Sequence, residues 1–313
     1  MKVSVVVTVF NEEHSIAHLL DSLLKQTRIP DEIVIVDGKS TDRTAEIIKD
    51  FQESYKLIKL YVQRGNISRG RNAAISKAKY PVIAQIDAGC SADKHWLERI
   101  IKPFEVKDTG LSAGFYEMTG KTVVQQAVAP FMGITPQNFD PRSFLPSGRS
   151  VAFRKNIWKE VGGYSENLQW AGEDTLFNYN ILKRGIKIAR VPEAFVYWEV
   201  PKNWIEIFIK FYKYAQGDAE TKIWWHPGKN LATHNIKIAL IFIRYLVGIM
   251  FFLLGLYEPF FWYLLIFGFA FYTSRSVWKM RNEVNNSTAL ILVPVVQITS
   301  DLAVMAGFIT GLV

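Results

Sequence analysis

Three hydrophobic patterns succeed one another along the chain. Residues 3–10 form a nearly unbroken apolar run closed by Asn11-Glu12-Glu13 and read as a buried first strand. The run is too short for a signal-peptide core plus cleavage site, so no export signal is expected there. Ile16, Leu19, Leu20, Leu23 and Leu24 follow at helical spacing up to Pro30. Ile33-Val34-Ile35-Val36 predicts a second strand ending at Asp37-Gly38, with a helix over about 42–55. A third strand is expected at 57–62, then Gly65-Asn66-Ile67-Ser68-Arg69-Gly70-Arg71-Asn72 and a helix through Lys79. The stretch 80–90 is a fourth, apolar until it stops at Asp87-Ala88-Gly89. Strand and helix alternate with short connections, which predicts a mostly parallel α/β sheet with right-handed crossovers. Such sheets bind ligands beyond the carboxyl ends of their strands, so Asp87 is expected to face a crevice. Ala88 and Gly89 leave room for a ligand against the backbone.

The pattern then loosens. Pro130, Pro136, Pro141 and Pro146 among aromatics predict a long, less regular and partly ordered segment over 106–150, lying across the site. A helix is expected from about Glu173, whose opening Glu173-Asp174 pair is also what the helix dipole alone favours. Beyond residue 200 the apolar fraction rises. Residues 204–214 alternate aromatics and Ile with Lys210 and Lys213, as in a basic helix at a membrane surface, with a core helix as the alternative. Trp224-Trp225-His226 continues the interfacial character. Residues 238–257, 259–278 (with Arg275 snorkelling) and 289–313 predict three membrane spans. Arg244 and Asp301 fall inside two of them at similar depth, and an isolated charge there is costly, so an ion pair between those helices is expected, the alternative being that Arg244 snorkels to an acceptor's phosphate and Asp301 pairs with nothing. Arg275, Lys279 and Arg281 place the second loop, and with it the preceding domain, in the cytoplasm.

Composition sharpens two points. The chain of 313 residues is 49% hydrophobic with a formal charge of +8. Many late Lys and Arg flank apolar runs and suit anionic lipid headgroups, so no nucleic-acid partner is expected. The single Cys90 excludes an intramolecular disulfide and fits a reducing compartment.

The chemistry begins with carboxylates at strand ends. Neither the dinucleotide fingerprint nor the P-loop pattern fits Gly65 and Gly70. A nucleotide would instead be held by Arg69 and Arg71 on its diphosphate and Asp37 on a uracil imide, although singly Asp37 is equally a turn former and Arg71 a solvated helix residue. Taken together, Val-Val-Val-Thr-Val-Phe-Asn-Glu-Glu (5–13), Val-Asp-Gly-Lys-Ser-Thr-Asp-Arg-Thr (36–44), Arg-Asn-Ala-Ala-Ile (71–75), Asp-Ala-Gly (87–89) and Gly-Glu-Asp (172–174) resemble family 2 glycosyltransferases of the GT-A fold.

The resemblance covers residues 1 to about 200 and implies a GT-A catalytic domain over 1–200, which the hydrophobic pattern follows with interfacial helices over 201–235 and a transmembrane region over 236–313. It implies a donor site of Thr8, Phe10, Glu12, Asp37, Arg71, Asp87 and Ala88, with Arg71 on the diphosphate. Gly148, Arg149 and Trp170 would lie on the acceptor side, Asp174 would be the catalytic base, and Glu173 its neighbour and fallback. Asp87 corresponds to the first Asp of the family's metal-binding Asp-x-Asp motif. Gly89 stands where the second Asp is common, so a Mn or Mg cation would lose one oxygen ligand. The expected activity is inverting transfer from a UDP-linked sugar to a hydroxyl of a lipid or lipid-linked glycan, by a protein of the cell membrane. Transfer to polyprenyl phosphate itself is the close alternative, and a non-catalytic membrane scaffold the remote one.

Overall fold

The computed structural model describes residues 1–224 and 234–313. In chain order the elements are β1 (Val3–Val9), α1 (Ile16–Leu24), β2 (Glu32–Asp37), α2 (Thr44–Ser54), β3 (Ile58–Val62), α3 (Ile67–Lys77), β4 (Val82–Gln85), β5 (Cys90–Ala92), α4 (Trp96–Ile101), β6 (Thr109–Thr119), α5 (Val123–Met132), β7 (Val151–Arg154), α6 (Lys155–Glu160), α7 (Glu173–Lys183), β8 (Lys187–Glu199), α8 (Trp204–Glu220), α9 (His234–Gly255), α10 (Phe260–Met280) and α11 (Ser287–Leu312). They form two compact units, Met1–Met118 with Phe139–Glu199, and Thr119–Asn138 with Val200–Val313.

The first unit is built on an eight-stranded sheet of order β3-β2-β1-β4-β7-β6-β8-β5. Its first half is parallel, β1 pairing with both β2 and β4, and β2 with β3. These short strands are apolar at nearly every position because both faces are covered, which is why they read as continuous runs. The chain moves outward from β1 to β2 and β3, then returns to the other side of β1 as β4. The order therefore reverses between β1 and β4, and that reversal opens a crevice beyond the strand ends. From β4 onward the pairing with β7, and of β7 with β6, is antiparallel. The sheet is thus mixed, the parallel rule holding only where a helix carries each return.

The stretch 106–150 keeps the expected irregular structure from residue 133 onward, where Pro136, Pro141 and Pro146 lie, apart from a short 3-10 turn at Pro136–Asn138, but is more regular than expected before it. Within the first unit it supplies most of β6, whose first eight residues are all buried. In the second unit it supplies α5, opened by a capping box between Thr122 and Gln125. Pro130 lies inside α5, and the helix stops two residues later at Met132. The proline marks the approach of the helix end and does not exclude a helix.

In the second unit α8 buries Ile207, Phe211, Ala215 and Ala219 against α11. The approach is backbone to backbone: a Cβ added at Gly307 would lie 2.1 Å from the Tyr212 carbonyl oxygen, and one at Gly311 2.4 Å from that of Gln216. The opposite side of α8 leaves Ile205, Phe208 and Ile209 exposed. Trp224 packs edge-to-face on Phe308. Trp225 and His226 lie outside the described residues.

Two described helices, Asn235–Gly255 and Ser287–Leu312, are long and apolar enough to cross a membrane, where three spans were expected. The third candidate, α10, is a continuous helix of 21 residues that carries Arg275 and Lys279 in its last turns. Leu240, Ile243, Leu246, Ile249, Phe267 and Phe269 are exposed, the reverse of a soluble core helix. The expected ion pair forms. Arg244 of α9 pairs with Asp301 of α11. Asp301 also accepts from Tyr272, from Tyr245 at 3.3 Å and from Gln297 at 3.0 Å.

Candidate active site

The site residues of the first unit gather where the strand order reverses. Asp37 ends β2 in register with Val9, and Gly38 follows in contact with Phe10. Ser40 donates from its N–H at 2.9 Å and its hydroxyl at 2.7 Å, both to Asp37 Oδ1. Asn11 and Lys39 hold left-handed backbone, φ 55° and 75°. The Asn11 side chain accepts from the Thr41 N–H, so the two strand-end turns are tied together and Asp37 is fixed between them. Thr8 lies under α3, 3.0 Å from a Cβ added at Gly70. The exposed Phe10 ring stands at the rim.

Arg71, expected on a diphosphate, lies on the second turn of α3 and points into the protein. Its side chain is only 3% exposed, and it bridges two carboxylates: Asp87 at 2.7 Å, just past β4, and Glu173 at the start of α7. A guanidinium so enclosed reaches a diphosphate only by giving up a buried partner, which is costly. Burial alone would lower its pKa, but Asp87 and Glu173 raise it further above the ordinary value, so Arg71 is a permanent cation. Glu173 is pushed up to about 7 by burial, with Asp174 adding repulsion, against the attraction of Arg71. Glu173 Oε2 and Arg71 Nε are buried without a hydrogen-bond partner among the described residues.

Asp174 is the more open member of the acidic pair. Gly172 adopts φ 89°, a glycine conformation, and turns the chain into α7. Asp174 Oδ1 accepts from the Thr175 N–H at 2.8 Å, and Oδ2 from the Gly148 N–H at 3.3 Å. Gly148 has a second constraint: a Cβ there would stand 2.1 Å from Arg71 Nη2. The Arg149 guanidinium lies 3.9 Å from the Trp198 ring centre and 5.1 Å from that of Tyr116. Trp170 is exposed on the loop before α7. Ala88 is buried directly after Asp87.

Sequence reasoning missed the supports. Tyr164 places its ring 5.4 Å from Arg71 and donates its hydroxyl to Gln85 at 3.0 Å. Asn72 binds the Tyr164 carbonyl at 2.8 Å and accepts from the Tyr164 N–H at 2.9 Å and Trp158 Nε1 at 3.1 Å. The signal was Asn72 beside Arg71, since adjacent helix residues face different neighbours.

The cation expected at Asp87 meets a sparse donor set. Asp87 Oδ1 is engaged by Arg71, Gly89 adds no carboxylate, and no cluster of three His, Cys, Asp or Glu suited to a metal exists among the described residues. A Cβ at Gly89 would meet nothing within 4 Å. One carboxylate with open space beside it fits a hard cation that keeps waters and takes its other ligands from a diphosphate.

A doubly wound parallel half-sheet with carboxylates at its switch point defines a nucleotide-sugar-binding α/β domain of the GT-A class. Residues 4–162 match the family described as Glycosyl transferase family 2, and the chain belongs to that family. Glycosyltransferase AglE of Haloferax volcanii is 30% identical over 51% of this chain and 50% of its own length. The glucosyl-dolichyl phosphate glucuronosyltransferase of the same organism is 28% identical over 55% of this chain and 59% of its own. Poly(ribitol-phosphate) beta-glucosyltransferase of Bacillus spizizenii is 38% identical over 65% of this chain and 33% of its own. The chain thus spans a third to three fifths of the length of these relatives. Mannosyltransferase PcManGT from Pyrobaculum calidifontis, solved with GDP-Man and Mn2+, superposes with a TM-score of 0.58 at 18% identity, covering 97% of this chain and 87% of that one. That likeness shows the fold.

Proposed function

We propose that the chain is a membrane-bound inverting glycosyltransferase that moves a sugar from a UDP-linked donor to a hydroxyl of a lipid or lipid-linked glycan. The observation that carries this reading is the division of labour between adjacent carboxylates: Glu173 is buried on Arg71, while Asp174 is held by two backbone N–H groups at the crevice. Asp174 takes the acceptor proton as the oxygen attacks the anomeric carbon. The bond to the leaving diphosphate breaks on the opposite face. Asp37 and Phe10 hold the nucleoside at the β1 and β2 ends. Arg71 orients Asp87 and Glu173 and stays inside the protein. A Mn or Mg ion would be held by Asp87 together with the diphosphate and water, where it supplies charge neutralisation for the leaving group.

A phosphate acceptor is already ionised at pH 7 and needs no base, so a positioned Asp174 favours a hydroxyl. The acceptor class draws support from the glucosyl-dolichyl phosphate glucuronosyltransferase among the relatives and from the exposed apolar faces of α9 and α11. On this reading α9, α10 and α11 span the cell membrane, with the basic α10–α11 loop and the catalytic unit in the cytoplasm.

The test is Asp174→Asn. Transfer of radiolabel from UDP-sugars to extracted lipid should be abolished, with UDP affinity within a few-fold of wild type, because losing a base costs the transition state and not the ground state. Wild-type turnover in that variant would remove Asp174 from the mechanism.

A further inference from the structure

In the first unit, Tyr164 touches all three elements that position the charged groups of the crevice. The Asn72 side chain of α3 holds its N–H at 2.9 Å and its carbonyl at 2.8 Å. Its ring stacks on Phe177 of α7, centroids 4.5 Å apart, and the Arg71 guanidinium lies 5.4 Å from the ring centre. Its hydroxyl reaches Gln85, the last residue of β4 and two positions before Asp87. Tyr164 and Gln85 are each 2% exposed, so their polar atoms need partners inside the protein.

Those partners form a directed series. The Gly148 carbonyl can only accept, so the Gln85 amide nitrogen faces it, at 3.4 Å. The amide oxygen is then left for Tyr164, whose hydroxyl donates to it at 3.0 Å. Burial holds the Tyr164 phenol well above its ordinary pKa, against the opposite pull of Arg71, so this donor keeps its proton. Gly148 passes the constraint on: its N–H donates to Asp174 Oδ2 at 3.3 Å. The same loop is tied to α7 a second time, by Asn178 Nδ2 on the Pro146 carbonyl at 2.7 Å. Asp174 and Asn178 are four residues apart and share one face of α7. The bonds at Gly148 are longer than the usual ~2.9 Å and those at Tyr164 are not, so Tyr164 is the fixed end of the series. Arg71 joins Asp87 to Glu173 on one side of Tyr164, and Gln85 joins the end of β4 to Asp174 on the other.

We infer that Tyr164 and Gln85 are a pair of positioning residues that fix Asp174 relative to Asp87, and with it the base relative to the leaving diphosphate. The inference rests on the reading of Asp174 as base and adds what holds that base in place.

Two variants of the full chain in detergent test it. Tyr164→Phe keeps the ring on Arg71 and Phe177 and removes only the donor to Gln85. Gln85→Met keeps the volume and removes both amide bonds. Sugar transfer from UDP-sugars to extracted lipid is measured, with UDP-binding stoichiometry counting the folded molecules. Each variant should lower kcat about tenfold or more, because a small misplacement is that costly, while donor KM and UDP affinity stay within about twofold. The double variant should lose no more than the worse single one, and the shifts in unfolding midpoint should likewise be non-additive, because the two residues act as a unit. A merely structural role would lower the folded fraction and leave kcat per UDP site unchanged. Unchanged kcat in both variants, a donor KM that rises in step with the fall in kcat, or additive losses would overturn the pair, and with Asp174→Asn inactive would leave the base reading intact. Wild-type turnover in Asp174→Asn would remove the base, and this inference with it.

Discussion

At the scale of single residues, the crevice is organised by a buried cation. Arg71 holds Asp87 and Glu173 from inside the protein, and removing one partner of a buried pair such as Arg71–Glu173 costs about 3–5 kcal/mol. The raised Glu173 pKa has a definite sign. Between about 4.5 unfolded and about 7 folded the native state binds the extra proton, so this group's contribution to stability falls as pH rises through that window and levels off above it. Glu173→Gln should flatten that part of the stability–pH curve, read by chemical denaturation from pH 4.5 to 8. An unchanged slope would place the protonation elsewhere. Gly148→Ala belongs here too. Its Cβ would meet Arg71 Nη2 at 2.1 Å, so the variant should lose activity and stability together, seen in turnover and melting temperature.

At the scale of elements, two devices join the helices of the second unit. One is steric: the missing side chains of Gly307 and Gly311 let α11 lie against the backbone of α8, and Gly307→Leu should separate them, lowering the melting temperature in detergent. The other is ionic. Arg244→Asp and Asp301→Arg should each cut expression, and the two together should restore most of it, because the exchanged pair still neutralises a charge that costs about 2.5–3.5 kcal/mol alone at mid-membrane. A double variant as poorly expressed as the worse single one would show that the pair does not join α9 to α11. The ion pair was legible in the sequence because depth follows from counting residues at a fixed rise. The tight face of α8 was not, since its apolar stripe looks the same whether it meets lipid or α11.

At the scale of the whole molecule, the proposed reading gives Asp87 both the donor diphosphate and the cation, so donor binding and cation use should stand or fall together. Asp87→Asn should weaken UDP-sugar binding and abolish any Mn or Mg stimulation, measured by calorimetry with and without chelator. Full activity of the wild type in chelator would refute the cation role. The alternation of strand and helix, the carboxylates at strand ends and the family motifs were all in the sequence, because a buried parallel strand must be apolar throughout and must stop where the ligand crevice begins. The residue types of the site were readable for the same reason. Which of them face the crevice was not. α3 reads Ile-Ser-Arg-Gly-Arg-Asn-Ala-Ala-Ile-Ser-Lys, a pattern too weakly amphipathic to tell a buried guanidinium from a surface one. Only the folded chain brings Glu173, 102 residues away, onto Arg71, and only there does burial outweigh that cation's attraction and raise the Glu173 pKa. Residues 106–150 followed the same rule. Pro136, Pro141 and Pro146 do lie in irregular chain, but residues 109–119 before them form a strand, because long-range pairing of β6 with β7 and burial of its side chains bury enough surface to decide the local structure.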